Sequence, residues 1–547
     1  MKAAQLFVAS LEAAGVRYVF GVPGEENLAF VEALRESSIE LVTTRDEQTA
    51  VFMAATIGRL TGRTGVALST LGPGATNLVT GVAYAQLGGM PLLVITGQKP
   101  IKKSKQGKFQ ILDIVGMMRP LTKSAETIVS ANRVPTTVYQ AVRTAESERP
   151  GAVHLELPED IAEEQSDLPP IPWQKLRRPV PDEKSINQLL ELVQAADKPV
   201  IVIAAGANRK LIGKQLKNFI DKTGIPFVST QMGKGVVDES SDLYLGTTAL
   251  SSGDFVHQAL EASDLIIMLG HDITEKPPVI ARGDQKIAHL NFYPADLDVV
   301  YQPTLEVIGD ISNALWALSE RIEPKEYWRS AELQEFRQRQ LDDTLAGADS
   351  DAFPVKPQRM VKDLRSALPR DAILSLDNGM FKLWIARNYP AYEQNTVLLD
   401  NALATMGAGL GAGVAAKLLN PDKPVVVVAG DGGLMMNIAD LETAIRLKLN
   451  LVIIVINDNG YGMIKWKQAS MDLPDYGLSF GNPDFVKLAE SFGATGHRLA
   501  AAADFRPTLD KALAGGIHII DLPIDYSENA TLIGENLRQR VQGQDKG

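Results

Sequence analysis

Asp431 stands in the stretch VVVVAGDGGLMMN (425–437), between four consecutive valines and a pair of glycines. The valines read as a strand buried on both faces, as in a parallel sheet. A helix is expected to start near Ile438. Glycine loops between a strand and a helix usually cradle phosphates with bare backbone N–H groups. A carboxylate would repel a phosphate, so something must let Asp431 sit there. A divalent cation resolves the conflict by binding carboxylate and phosphate oxygens together. Such a cation needs further oxygens, and the next strand-like run, LVIIVINDNGYGM (451–463), supplies Asn457, Asp458, Asn459 and Gly460. Asp458 follows Asp431 by 27 residues, the length of one helix plus one returning strand. Both acids then lie at the C-terminal edge of adjacent parallel strands, where ligands bind in open α/β sheets. Two carboxylates and a loop carbonyl suit magnesium bridging a diphosphate.

The elements that must position these residues are legible along the whole chain. Strand-like runs occur at 18–24, 64–70, 91–97, 199–206, 264–270, 424–430 and 451–458, with helix-like runs between them. This βα alternation implies an α/β protein of parallel, doubly wound sheets with helices on both faces. Two stretches break the pattern: DLPPIPWQKLRRPVPDEKS (167–185), and a charged helical segment from Glu323 that ends in DAFPVKP near Val355. Cutting there gives three domains, 1–165, 185–340 and 355–535. The last residues, LRQRVQGQDKG (537–547), read as a frayed polar end.

Composition narrows the class. Among 547 residues there is no cysteine, which excludes disulfides, zinc fingers and cysteine nucleophiles. A net charge of −11 argues against a general nucleic-acid binder. The opening MKAAQLFVASLEAAGVRYVFGVPG is interrupted by Gln5, Glu12 and Arg17, so it reads as an amphipathic helix entering a strand, not a signal peptide. No uninterrupted apolar run is long enough to span a membrane, and a cytoplasmic location is expected.

GDGG followed by NDNGYG at this separation, in strand–loop context, resembles the signature of thiamine diphosphate enzymes. The resemblance implies metal ligation by Asp431, Asp458 and the carbonyl of Gly460, with Gly430, Gly432, Gly433, Tyr461, Gly462 and Met463 lining the same loops. The family usually has Asn where this chain has Asp458, an exchange that keeps an oxygen ligand. Thiamine chemistry also needs a buried carboxylate on N1′ of the aminopyrimidine, so that the 4′-amino group can deprotonate the thiazolium. LVTTRDEQTA (41–50) matches the family motif that supplies it, through Glu47; taken alone, Glu47 is an ordinary acid at a helix start. ALATMGAGLGAG (402–413) resembles the segment that props the two rings apart, with Met406 as the wedge. DNGMFKLW (377–384) matches a loop near the diphosphate, which brings in Asn378 and Gly379.

The similarity covers almost the whole chain and is closest to acetolactate synthases. GVPGEENL (21–28), LGPGATNLVTG (71–81), KFQILDIVGMMRPLTK (108–123) and ERPGAVHLELPEDI (148–161) carry it, and Phe109 and Gln110 are implied to line the substrate pocket. The implied reaction joins two pyruvates into 2-acetolactate with loss of CO₂, through a thiamine-diphosphate enamine. The other readings are a related 2-oxoacid carboligase or lyase with a different donor or acceptor, and a non-catalytic regulator of the same fold. No two of the six histidines are adjacent, unlike the His-His pair of aldehyde-releasing relatives. DLIIMLGHDITEKPP (264–278) lacks the arginine of FAD-binding relatives, and with IAHLNFYPADLDVVYQPTLEVIGDI (287–311) and SFGNPDFVKLAESFGATG (479–496) resembles the catabolic, FAD-free branch. The expected cofactors are therefore thiamine diphosphate and Mg²⁺, without FAD. The family implies a homodimer or homotetramer in which Glu47 and Asp431 come from different subunits, with small-residue helices such as GATNLVTG (74–81) at the interface. Two departures bear on the substrate. Lys467, beside Trp466 in MIKWKQ (463–468), either pairs with an acceptor carboxylate or is a solvated helix cation. Glu25 and Glu26 stand where relatives carry small or basic residues.

Overall fold

The computed structural model describes all residues except 104–106, 210–211, 249–253, 273, 276–284, 299–300 and 530–547. The frayed end expected at 537–547 and parts of the segments 264–278 and 287–311 therefore lie outside the described residues. The chain forms two compact units. One comprises Met1–Arg177, Ala402–Pro421 and Met435–Leu449; the other comprises Arg178–Asn401, Asp422–Leu434 and the chain from Asn450 onward.

Among the described residues, eighteen strands make three six-stranded sheets, and every pairing within them is parallel. The first sheet contains β1 (Tyr18–Gly21), β2 (Glu40–Thr43), β3 (Gly65–Ser69), β4 (Leu92–Gln98), β5 (Ser124–Thr127) and β6 (Ala152–Pro158). The second contains β7 (Pro199–Ile203), β8 (Phe227–Thr230), β9 (Tyr244–Thr248), β10 (Leu265–Leu269), β11 (Lys286–Asn291) and β12 (Leu305–Ile308). The third contains β13 (Ile373–Leu376), β14 (Val397–Leu398), β15 (Val425–Gly430), β16 (Leu451–Asn457), β17 (Thr495–Arg498) and β18 (Ile517–Pro523). The central strands β3, β4, β7, β10, β15 and β16 are buried at almost every position, because helices cover both faces. The α/β reading with three parallel sheets holds.

The first and third sheets share one strand order, β2-β1-β3-β4-β6-β5 and β14-β13-β15-β16-β18-β17. In both, all strands run parallel, but the direction in which successive strands are added to the sheet reverses between β1 and β3, and likewise between β13 and β15, which opens a crevice at their C-terminal ends. The second sheet has the other doubly wound order, β9-β8-β7-β10-β11-β12, with its crevice between β7 and β10. There the Glu275 carboxylate accepts hydrogen bonds from Ala205 N at 3.0 Å, Met232 N at 3.1 Å and the Thr230 hydroxyl at 2.6 Å. Burial pushes its carboxyl up to about 7, against the pull of these three donors. Backbone N–H groups open to a phosphate in a nucleotide-binding crevice are here taken by the chain's own acid.

Within the first unit, the helix Ala408–Leu419 packs on the helix Glu47–Thr61. A Cβ on Gly411 would lie 3.1 Å from Thr49 Cγ2 and 3.2 Å from Phe52 Cβ, so glycine sets this close approach. Among the described residues no helix is long and apolar enough to cross a membrane.

Candidate active site

The C-terminal edge of the third sheet gathers most of the chemistry. Asp431 follows β15 directly, and Asp458 follows β16, its neighbour. The helix expected from Ile438 instead begins at Asp431 and runs to Asn437, followed by a single tighter turn, Ile438–Asp440. The glycines after Asp431 are therefore helical, and their missing side chains explain them. A Cβ on Gly432 would lie 2.8 Å from the Tyr461 ring and 3.0 Å from Phe480, and one on Gly433 would lie 2.6 Å from Asp377 Oδ2. Two neighbouring loops press on this turn, and only glycine leaves them room.

Asp431 is 1% exposed. Its Oδ1 accepts the Gly432 N–H at 2.7 Å, and its Oδ2 accepts Asn482 Nδ2 at 2.7 Å. The same Asn482 amide reaches Asn457 Oδ1 at 3.0 Å and Asn459 Oδ1 at 3.3 Å. Asn459 adopts a φ of +51°, a left-handed conformation that Asn tolerates, and turns the chain toward Gly460. A Cβ on Gly460 would lie 2.7 Å from the carbonyl of Leu478, whose oxygen accepts the Tyr461 N–H. Tyr461 and Phe480 meet edge to face, with ring centroids 4.9 Å apart. Gly462 lies against the Asp458 carboxylate and the Tyr526 ring. Met463 follows in the helix Gly462–Ala469.

The electrostatics of this edge are unbalanced. Burial lifts the Asp458 carboxyl to about 7, the Asp431 charge adds to the rise, and Lys465 opposes both. Burial and the same two carboxylates push the Tyr526 hydroxyl far up. Like charges held together in a half-dry site are relieved by a proton on one of them or by a bound cation. No group of three or more His, Cys, Asp or Glu side chains able to hold a metal occurs among the described residues. An ion here must complete its shell from backbone and amide oxygens and from a ligand. That donor set is all hard oxygen, which suits Mg²⁺ and not zinc.

Asn378 and Gly379 follow β13 on the other side of the crevice. Asn378 is buried, and its N–H is bonded to Asp377 Oδ1 at 2.7 Å. Gly379 precedes the helix Met380–Asn388 in an extended conformation and touches the Phe381 ring.

In the first unit, Glu47 opens its helix behind Asp46, whose side chain caps the Thr49 N–H. Glu47 was expected to be buried, but in this chain it is half-buried. Asn77 holds it, donating to Glu47 Oε2 at 2.8 Å and to Asp46 Oδ2 at 2.7 Å. A Cβ on Gly74 would lie 3.0 Å from Glu47 Oε1, so the short helix Gly72–Asn77 after β3 crowds that carboxylate. Met406 is also half-buried; Gly407 beside it has a φ of +90° and abuts the Asn437 side chain. Phe109 and Gln110, expected to line a pocket, are exposed in this chain, Phe109 by 76%. Gln110 has a φ of +57°, with its backbone against Gly72.

Of the residues that depart from the family pattern, Lys467 is exposed, which fits a solvated cation, and Trp466 is half-buried. Glu25 is exposed, whereas Glu26 is buried and pairs with Lys99 at 2.8 Å and with the Thr70 hydroxyl. Burial alone would raise the Glu26 carboxyl; Lys99 and Thr70 outweigh it and hold the group below its usual range. The histidines, separate in sequence, include one pair in space: His497 Nε2 and His518 Nδ1 are 2.9 Å apart. His518 also bonds the carbonyl of Gly515, ahead of β18, so the pair belongs to the opposite end of the sheet from Asp458.

Family comparison matches three models along the chain: the thiamine pyrophosphate enzyme N-terminal binding domain over residues 1–117, the central domain over 186–318, and the C-terminal binding domain over 377–522. Acetolactate synthase of Bacillus subtilis (strain 168) is 33% identical, over 98% of this chain and 95% of that protein. The chain belongs to the acetolactate synthase family of thiamine pyrophosphate enzymes. The catabolic acetolactate synthase of Raoultella terrigena is likewise 33% identical, over 97% of this chain and 96% of its own. A putative thiamine pyrophosphate-containing protein of B. subtilis (strain 168), YdaP, is 32% identical over 93% and 89%. The family's C-terminal match opens at Asp377 and encloses Asn378, Asp431, Asp458 and Asn482; its N-terminal match encloses Glu47, Asn77, Phe109 and Gln110.

Sequence reasoning missed Asn482, Asn77 and Asp377. The motif SFGNPDF that contains Asn482 was visible, but nothing in it says that the amide crosses to Asp431.

Proposed function

We propose that this chain joins two molecules of pyruvate into 2-acetolactate and releases one CO₂, with thiamine diphosphate held through Mg²⁺. The observation that carries the reading is the acid pair at the ends of adjacent strands: Asp431 is buried and Asp458 half-buried, and burial together with the charge of Asp431 pushes the Asp458 carboxyl up to about 7. When bound, thiamine diphosphate supplies a thiazolium that stores the electrons released by decarboxylation.

The residues divide the remaining work. Asp431, Asp458 and the Gly460 carbonyl would hold the ion, with Asn482 orienting Asp431. Asn378, Gly379, Gly430, Gly432, Gly433, Tyr461, Gly462 and Met463 would enclose the diphosphate end. Glu47, fixed by Asn77, would hold a proton at the pyrimidine N1′, and Met406 would keep the rings apart. Phe109 and Gln110 would line the acceptor pocket. Their exposure, and the incomplete burial of Glu47, supports assembly of at least a homodimer, in which a second copy covers them and excludes water. We further propose three domains at 1–165, 185–340 and 355–535, a cytoplasmic location, and no role for FAD.

The test is direct. Purified protein incubated with pyruvate, Mg²⁺ and thiamine diphosphate should yield acetoin after acidification; absence of acetoin with both cofactors bound would refute the reaction. The similarity to YdaP, whose name carries no reaction, favours a second reading, another 2-oxoacid carboligase. A panel of 2-oxoacid donors and acceptors separates the two.

A further inference from the structure

The third sheet's crevice holds a cation that the mechanism above does not use. Lys382 lies in the first turn of the helix Met380–Asn388, directly after the Asn378 loop. Its side chain turns inward, and the residue is 4% exposed. Nζ donates to Asn378 Oδ1 at 2.6 Å, to the Asp400 carbonyl at 2.9 Å and to Asn401 Oδ1 at 3.5 Å. All three acceptors are neutral oxygens. Another buried lysine is satisfied differently: Lys234 Nζ is 2.7 Å from the carboxylate of Glu239.

A buried ammonium without a carboxylate partner is expensive, and such a group either sheds its proton or waits for an anion. Burial draws Lys382 down to about 8, while the charges of Asp400 and Asp377 push back. Its location says which anion fits. Asn378 follows β13, Asp400 and Asn401 follow β14, and Asp377 abuts Gly433 of the metal turn. Lys382 thus ties the ends of β13 and β14 together across the switch point from Asp431. The charges point the same way. A divalent ion held there would neutralise Asp431 and Asp458 and would leave the diphosphate charge in surplus.

We propose that Lys382 is a positioning residue for the diphosphate end of the cofactor. Its ammonium locks Asn378 and the 400–401 turn in place and would offset phosphate charge. This rests on the thiamine diphosphate reading above and adds to it a residue with a stated role.

The test uses the full-length protein with Mg²⁺, titrated calorimetrically with thiamine diphosphate and with inorganic pyrophosphate. Lys382→Met and Lys382→Gln should bind both ligands about 10–100-fold more weakly than wild type, by the same factor for each. Their ligand-free melting temperatures should stay near the wild-type value. At pH 9 the wild type, titrated in buffers of different ionisation enthalpy, should take up protons as either ligand binds. The groups facing Lys382 there are Asp377 and Asp400, and the lysine is the one that regains a proton. Wild-type affinity in either folded variant, or binding without proton uptake by the wild type, would overturn the proposal. A wild type that binds neither ligand would instead refute the cofactor reading itself.

Discussion

The first and third sheets are built in the same strand order, yet their crevices carry charge in opposite ways. In the first sheet, Glu26 follows β1, Thr70 follows β3 and Lys99 follows β4. These three close on one another, with Lys99 2.8 Å from Glu26 and the Thr70 hydroxyl on the same carboxylate. In the third sheet, the corresponding positions hold Asn378 after β13, Asp431 after β15 and Asp458 after β16. There the lysine position is taken by a second acid, and Asp458 is pushed up to about 7 by burial and by Asp431. One crevice supplies its own counter-ion; the other is left requiring one. Topology makes the crevice, and the residues at the strand ends, Glu26, Thr70 and Lys99 against Asn378, Asp431 and Asp458, set how its charge is balanced.

This comparison can be broken at several points. The largest effect is expected at Glu47, the acid of the first unit assigned to proton transfer. Glu47→Gln should lower turnover by about 10²–10⁴-fold while thiamine diphosphate affinity stays within a few-fold, read by steady-state kinetics and calorimetry. Unchanged turnover would remove Glu47 from the mechanism. Next comes Lys99→Met, which strands Glu26 in the filled crevice. It should cost about 2 kcal/mol in chemical denaturation, less than the ~3–5 kcal/mol of a fully buried pair because Lys99 is partly solvated. Its Mg²⁺-dependent cofactor affinity should not change; a loss there would mean that the two crevices are not independent.

The open crevice should also answer to pH. With its carboxyl at about 7, Asp458 must lose a proton to take a cation, so Mg²⁺-dependent binding should weaken about tenfold per pH unit below 7. Without metal the sign reverses. The native state holds this proton more tightly than the unfolded chain, so stability from this site is full at low pH and is lost as pH rises toward 7. Asp458→Asn should flatten both profiles. The smallest effect is expected for Asn482→Ala, about tenfold weaker Mg²⁺-dependent binding, because it removes the amide that orients Asp431 and no ligand of the ion.

Much of this was readable in the sequence, for physical reasons that also mark where reading stops. Unbroken apolar runs such as VVVV and LVIIVI leave few alternatives to buried parallel strands, and the acids that interrupt them announce a site. Glycines signal a loop and so put the expected helix start near Ile438, seven residues past its position at Asp431; here they are helical and are needed for the contacts of Tyr461, Phe480 and Asp377. Asn482 and Asn77 were invisible because an amide's partner is set by tertiary approach, 51 residues away for Asn482 and Asp431, 30 for Asn77 and Glu47. Glu26 looked like a change in the substrate pocket; its pairing with Lys99 makes it part of the first sheet's own structure.

The central claim is that the third sheet's acids exist to hold a cation against a diphosphate. Calorimetric titration of wild type and Asp431→Ala with thiamine diphosphate, each with and without Mg²⁺, tests it most directly. Tight binding only by the wild type and only with Mg²⁺, with the variant weakened by ~100-fold or more, is the predicted result. Equal affinity in Asp431→Ala, or wild-type binding indifferent to Mg²⁺ and every other divalent ion, would contradict it.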